Sequence, residues 1–436
     1  MTGLLSGDLA LADLHGSLSD PLLDAMTFLN EVTSRFPDAI SFAPGRPYER
    51  LFDPDRIPGH LAAYTDYLVR DKGFTPDRVR TALFQYGRTN GEIHELIART
   101  LANDEAIHVP PESVVVTVGA QEGMLLALRA LFARPTDVLL VSSPCYVGIT
   151  GAARLLDIDV VPVPEGVDGL DPDTVAAVAA SIRDSGRRPR ALYVVPDFAN
   201  PSGASMTVPH RRRLLEVAGE QDLLVIEDNP YGFFTRDDVY RPTLKSLDPN
   251  RHVIYLGSFA KTCFPGARLG YVLADQQVTD DTGQRSLLAD HLAKIKSMTT
   301  VNTPSLSQAV IAGILVASGC RLRDVNQDTI AFYRANLDLL LAELDRWFPA
   351  ERRIALGIDW NRPGGGFFVV VTVPFVADEA ALARSAGEHG VLWTPMAPFF
   401  LDGGGTHQLR LSCSYVQPAV LVEGVARLAG FINEQV

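Results

Sequence analysis

Six short apolar runs punctuate the middle of the chain, at residues 114–118 (VVVTV), 138–141 (VLLV), 160–163 (VVPV), 191–195 (ALYVV), 223–226 (LLVI) and 253–256 (VIYL). Most of their residues are β-branched or aliphatic, and Gly, Pro, Ser, Asp or Asn stand close to each end. Runs without polar alternation suit strands buried on both faces. The segments between them, such as 123–132 and 210–220, have helical length and spacing. This alternation predicts an α/β domain over about 71–330, with a mainly parallel sheet and helices on both faces. The texture then changes. A long helical stretch at 330–348 leads to 367–373 (FFVVVTV), 408–412 (QLRLS) and a closing helix near 419–432. Residues 331–436 therefore read as a smaller α+β domain. Residues 1–70, with several prolines and no strand alternation, are expected to pack against it. The glycine triplets at 364–366 and 403–405 read as turns.

Composition narrows the function classes. The 39 Lys+Arg against 52 Asp+Glu give a formal charge of −13 over 436 residues. Nucleic-acid binding through phosphates needs a basic face, so no nucleic-acid partner is expected. A few placed arginines could still hold a small anion. Cys145, Cys263, Cys320 and Cys413 are widely spread, with no CxxC pair and no His cluster nearby, so free buried thiols are expected and no metal. No Lys or Arg precedes Arg35, unlike the basic start of a signal peptide. The longest apolar stretch, 309–320, is too short and too broken to span a bilayer. These features predict a soluble cytoplasmic protein with no membrane partner.

Ligands of open α/β sheets collect beyond the carboxyl ends of the strands. The residues following the predicted strands are therefore the candidates. The first run leads to Gly119-Ala120-Gln121-Glu122-Gly123 and a helix, the second to Ser143-Pro144-Cys145-Tyr146. The fourth leads to Asn200-Pro201-Ser202-Gly203, the fifth to Asp228-Asn229-Pro230-Tyr231. The sixth ends in Ser258-Phe259-Ala260-Lys261, with Pro265-Gly266-Ala267-Arg268-Leu269-Gly270-Tyr271 beyond it. Each has an ordinary explanation as a turn, a helix cap, a surface charge or a half-buried aromatic. Together they would bring a helix N-terminus, an aromatic ring, an amide, a carboxylate, a phenol, a lysine and an arginine to one place.

In order and spacing these stretches resemble the class I/II aminotransferases, the fold-type-I enzymes that use pyridoxal 5′-phosphate. Phe84-Gln85-Tyr86-Gly87 with Gly91, and Leu409-Arg410-Leu411-Ser412, fit the flanking motifs, and the resemblance runs from about residue 40 to the C-terminus. It implies that Lys261 joins the cofactor covalently and later shuttles a proton, that Asp228 faces the pyridine nitrogen, and that Asn200 and Tyr231 bond the phenolic oxygen. Tyr146 would stack on the ring. Ala120, Gln121, Ser258 and Arg268 would hold the phosphate, with Tyr86 reaching the neighbouring subunit's phosphate in a homodimer. Arg410 would bind the substrate α-carboxylate, with Asn200 and Gly45 beside it. The implied reaction moves an amino group between an amino acid and a 2-oxo acid.

For the substrate, the segment 41–47 is similar to one that lies over the pocket in the aminoadipate/kynurenine subgroup. The opening stretch also resembles the hydroxyphenylglycine transaminases of peptide-antibiotic pathways, which implies an aromatic or arylglycine substrate. Phe42, Phe399 and Phe400 read either as an aromatic side-chain site or as core. Arg46 reads either as a contact for a polar side chain or as surface. Another reaction at Cα on the same scaffold (lyase, decarboxylase or oxidative cyclase) stays open, as does an aminoadipate-type transaminase. A regulatory module lacks its basic helix-turn-helix. A nucleotide phosphate loop would need glycine where Ala260 stands.

Overall fold

The computed structural model describes residues 9–237 and 239–436, so residues 1–8 of the N-terminal segment lie outside the described residues. All six apolar runs form strands of one eight-stranded sheet. Its order is Val114–Thr117, Gly270–Leu273, Val253–Ser258, Leu224–Asp228, Arg188–Val194, Asp137–Ser143, Asp159–Gly166, Gly169–Leu170. The five strands from Val253–Ser258 to Asp159–Gly166 pair in parallel. Gly270–Leu273 is antiparallel to both of its neighbours. The fold is thus α/β with a mainly parallel sheet.

Burial on both faces explains why the runs lack alternation. Leu139 and Val141 pack with Ile226 and Leu256 on one face, while Val138 and Leu140 pack with Val225 and Val253 on the other. Helices Pro172–Asp184 and Val208–Glu220 cover the second face; Gly119–Leu131, Leu288–Thr299 and Ser305–Ala317 cover the first. Local chemistry starts these helices where the pattern predicts. Asp171 accepts from the Thr174 N–H at 3.1 Å with Pro172 in the first turn, an arrangement that satisfies an otherwise free donor.

A second sheet is antiparallel, ordered Asp359–Trp360, Phe368–Thr372, Gln408–Ser412, Thr394–Pro395. Helices Gln327–Trp347 and Pro418–Glu434 pack on it. The long helix serves both cores: Ile330 and Tyr333 belong to the larger one, Leu337, Leu340 and Leu344 to the smaller. The sequence boundary at 330/331 therefore falls inside a continuous helix.

The N-terminal segment divides instead of packing as one piece with the smaller unit. Ile40–Ser41 pairs in parallel with Val391–Leu392, and Phe42 is fully buried in the smaller core. Helix Ile57–Arg70, however, lies along Ser305–Ala317 and buries Tyr64 and Leu68 in the larger core. An amphipathic stripe states that a face is buried, not against which partner. The four cysteines are buried and unpaired. Among the described residues no helix is long and apolar enough to cross a membrane.

Candidate active site

The carboxyl ends of the large sheet open into a cavity of about 540 Å³, roofed by residues 43–46 and by Arg410 of the smaller sheet. Ala120 and Gln121 lie in the first turn of Gly119–Leu131, where backbone N–H groups have no intrahelical partner. Arg268 reaches this turn because position 119 is glycine. A Cβ there would sit 2.6 Å from the Arg268 guanidinium, and the backbone is left-handed at φ +70°. Ser258 closes the strand Val253–Ser258 and lines the same cavity end.

Asp228 ends the strand Leu224–Asp228 and is 5% exposed. Its Oδ2 accepts from the Tyr193 hydroxyl at 2.7 Å, while Oδ1 is buried without a hydrogen-bond partner. Burial pushes its carboxyl up to about 6, against the opposing pull of Tyr193 and Lys261. Lys261 opens onto the cavity and donates to the Gly45 carbonyl at 2.6 Å. Desolvation, followed by the Arg268 and Arg410 charges, pulls its amine down to about 8. Gly45 must itself be glycine, since a Cβ would lie 2.4 Å from the Phe368 ring.

Arg410 is 4% exposed. Its Nη1 donates to Asn200 Oδ1 at 2.5 Å and its Nη2 to the Ala43 carbonyl at 2.9 Å, leaving Nε buried without a partner. The loop bearing Asn200 is clamped from below. Fully buried Arg211 donates to both Asp197 oxygens, at 3.0 and 2.5 Å, and to the carbonyls of Pro196 and Met206. These bonds tie the loop to helix Val208–Glu220, and losing one member of the buried pair would cost about 3–5 kcal/mol by stranding the other charge. Tyr231 faces Asn200 and Arg410, and burial raises its phenol well above the ordinary range. Tyr146 precedes helix Val147–Leu155 on another wall, its phenol pushed up to about 12 by burial.

Every residue expected at the site thus lines one cavity except Tyr86, which is 84% exposed and lies outside it. Phe42 is core, and Phe399 lines the cavity beneath Arg410. Arg46 stacks on Tyr415 with its guanidinium carbon 3.9 Å from the ring centre. Sequence reasoning missed Tyr193. Its signal was a phenol within an otherwise aliphatic strand, since a buried hydroxyl needs a partner.

Residues 76–428 match the family model for aminotransferase class I and II. The chain belongs to this family. The (S)-3,5-dihydroxyphenylglycine transaminase of Amycolatopsis orientalis is 50% identical over 98% of this aminotransferase and 96% of its own length. A multiple substrate aminotransferase from Thermococcus profundus superposes with a TM-score of 0.80 at 27% identity, over 97% of this chain and 98% of its own. The alpha-aminoadipate aminotransferase of Thermus thermophilus, solved with N-(5'-phosphopyridoxyl)-L-leucine, gives 0.76 at 28% identity over 98% and 99%.

This aminotransferase uses pyridoxal 5′-phosphate, and the cavity fits it. The orphaned Asp228 Oδ1 suits a protonated ring nitrogen, the desolvated Lys261 amine suits an aldehyde, and the free N–H groups beside Arg268 suit a phosphate.

Proposed function

We propose that this aminotransferase exchanges an amino group between an arylglycine of the hydroxyphenylglycine type and a 2-oxo acid, as a cytoplasmic homodimer. The observation that carries the substrate reading is the 50% identity, over nearly the whole chain, to a transaminase named for dihydroxyphenylglycine. The cavity wall agrees with it, since Val147 and Phe399 offer apolar surface for a flat ring.

The cofactor, when bound, supplies an electron sink for the pair left when the substrate Cα loses its proton. The residues of this chain do the rest. Arg410, which lines the cavity, holds the substrate α-carboxylate with its guanidinium fork and so orients the Cα–H bond for cleavage. Lys261, its amine already easily deprotonated, takes the proton from Cα and delivers it to the cofactor's C4′. Asp228 keeps the ring nitrogen protonated, and Tyr193 holds the second carboxylate oxygen. Asn200 and Tyr231 bond the cofactor's phenolic oxygen, and Tyr146 covers its ring. Ala120, Gln121, Ser258 and Arg268 bind the phosphate. Tyr86 reaches the phosphate in the second subunit. Its side chain is 84% exposed and so free to meet a second copy.

The test is the visible absorbance of the bound cofactor during addition of single amino acids. Phenylglycines are expected to bleach it. Bleaching by aspartate and 2-aminoadipate, with none by phenylglycines or other aromatics, rejects the arylglycine reading.

A further inference from the structure

A fully buried lysine is paired with a carboxylate in the helix turn assigned to the phosphate, and none of the roles above involves it. Lys296, on helix Leu288–Thr299, has a side chain with no solvent exposure. Its Nζ lies 3.0 and 2.8 Å from the two carboxylate oxygens of Glu122, and 2.8 Å from the Thr300 hydroxyl. That hydroxyl donates to Glu122 Oε1 at 2.6 Å, and the Val118 N–H donates to Oε2 at 2.6 Å. All three ammonium donors and both carboxylate oxygens are therefore spent within the cluster. Neither Lys296 nor Glu122 lines the cavity.

Packing alone does not account for this pair. Two helices can be joined as well by apolar side chains of the same volume, without taking two charges out of water. The position of Glu122 gives the better account. It directly follows Gln121, in the turn whose unpaired N–H groups and positive dipole end attract an anion. An uncompensated carboxylate there would compete for that positive end and repel a phosphate through poorly screening protein.

We propose that Lys296 is a positioning residue for the cofactor phosphate: it pins and neutralises Glu122, so that the helix N-terminus at Ala120 and Gln121 stays available to the anion. This rests on the phosphate reading of that turn and of Arg268.

The experiment titrates the full-length enzyme, stripped of cofactor, with pyridoxal 5′-phosphate and with pyridoxal, which lacks the phosphate. Lys296→Met is expected to weaken pyridoxal 5′-phosphate about ten- to a hundredfold and to leave pyridoxal almost unchanged. Glu122→Gln, which removes the repelling charge, should not weaken the phosphorylated ligand. The double variant Glu122→Gln/Lys296→Met should restore the affinity that Lys296→Met loses. Equal weakening of both ligands by Lys296→Met, or a double variant no better than it, overturns the proposal in favour of packing. If Lys296→Met does not fold, Glu122→Gln decides alone, because a packing role predicts weaker binding from it. Arg268→Gln separates the two readings: if it leaves the preference for the phosphorylated ligand intact, the phosphate site itself is misplaced.

Discussion

Lys261 and Lys296 lie on the same chain 35 residues apart, and their surroundings are opposite. Lys261 has no carboxylate within salt-bridge distance among the described residues. It donates to a carbonyl, and the arginines at 268 and 410 add to the desolvation that pulls its amine down to about 8. Lys296 is also pushed down by burial, but Glu122 opposes that push with two contacts of 3.0 and 2.8 Å. One environment makes a proton easy to lose and leaves the nitrogen open to a cavity. The other spends every donor and shuts the nitrogen away. Burial by itself therefore does not mark a reactive lysine. The sign of its neighbours and the free volume beside it do.

The largest effect that would break this contrast is at Lys261. Lys261→Ala should abolish the visible absorbance of the bound cofactor and reduce turnover by roughly 10³-fold or more, the scale of a lost general acid–base group. Near-normal turnover in that variant would end the distinction. Arg410→Lys keeps a charge but loses the fork, and should lower kcat/KM by about tenfold to a hundredfold in steady-state assays. It also preserves the repulsion felt by Lys261, so a large shift in pH profile would contradict the account. Tyr193→Phe removes one hydrogen bond from a carboxylate oxygen, which should cost about 1.5–3 kcal/mol of Asp228 anion stabilisation and raise its pKa above about 6. Activity should then fall first on the acid side, measured as kcat against pH.

The contrast is sharpened most gently by pH itself. Covalent attachment needs the neutral Lys261 amine. The rate at which the stripped enzyme recaptures its cofactor should rise roughly tenfold per pH unit below about 8 and level off above it. Stopped-flow absorbance reads this directly. A plateau reached only near the ordinary lysine range, about 10.4, would show that the amine is not depressed.

Local pattern placed six strands and the helices between them, because each of these is announced by adjacent residues. A strand buried on both faces must be apolar throughout. A site at strand ends draws its residues from the few positions that follow each strand. Lys261, Asp228 and Asn200 could be found in this way. The antiparallel strand Gly270–Leu273 was not, because four residues trailing the Arg268 motif carry no periodicity of their own. Tertiary structure decided which distant groups meet. Tyr193 belongs with Asp228, 35 residues away, and Glu122 with Lys296, 174 residues away. It also decided that Phe42 is core and that helix Ile57–Arg70 joins the larger unit. Sequence states the need of a side chain to be buried or paired. Only the folded chain, by bringing remote segments within a few ångströms, settles which partner meets that need.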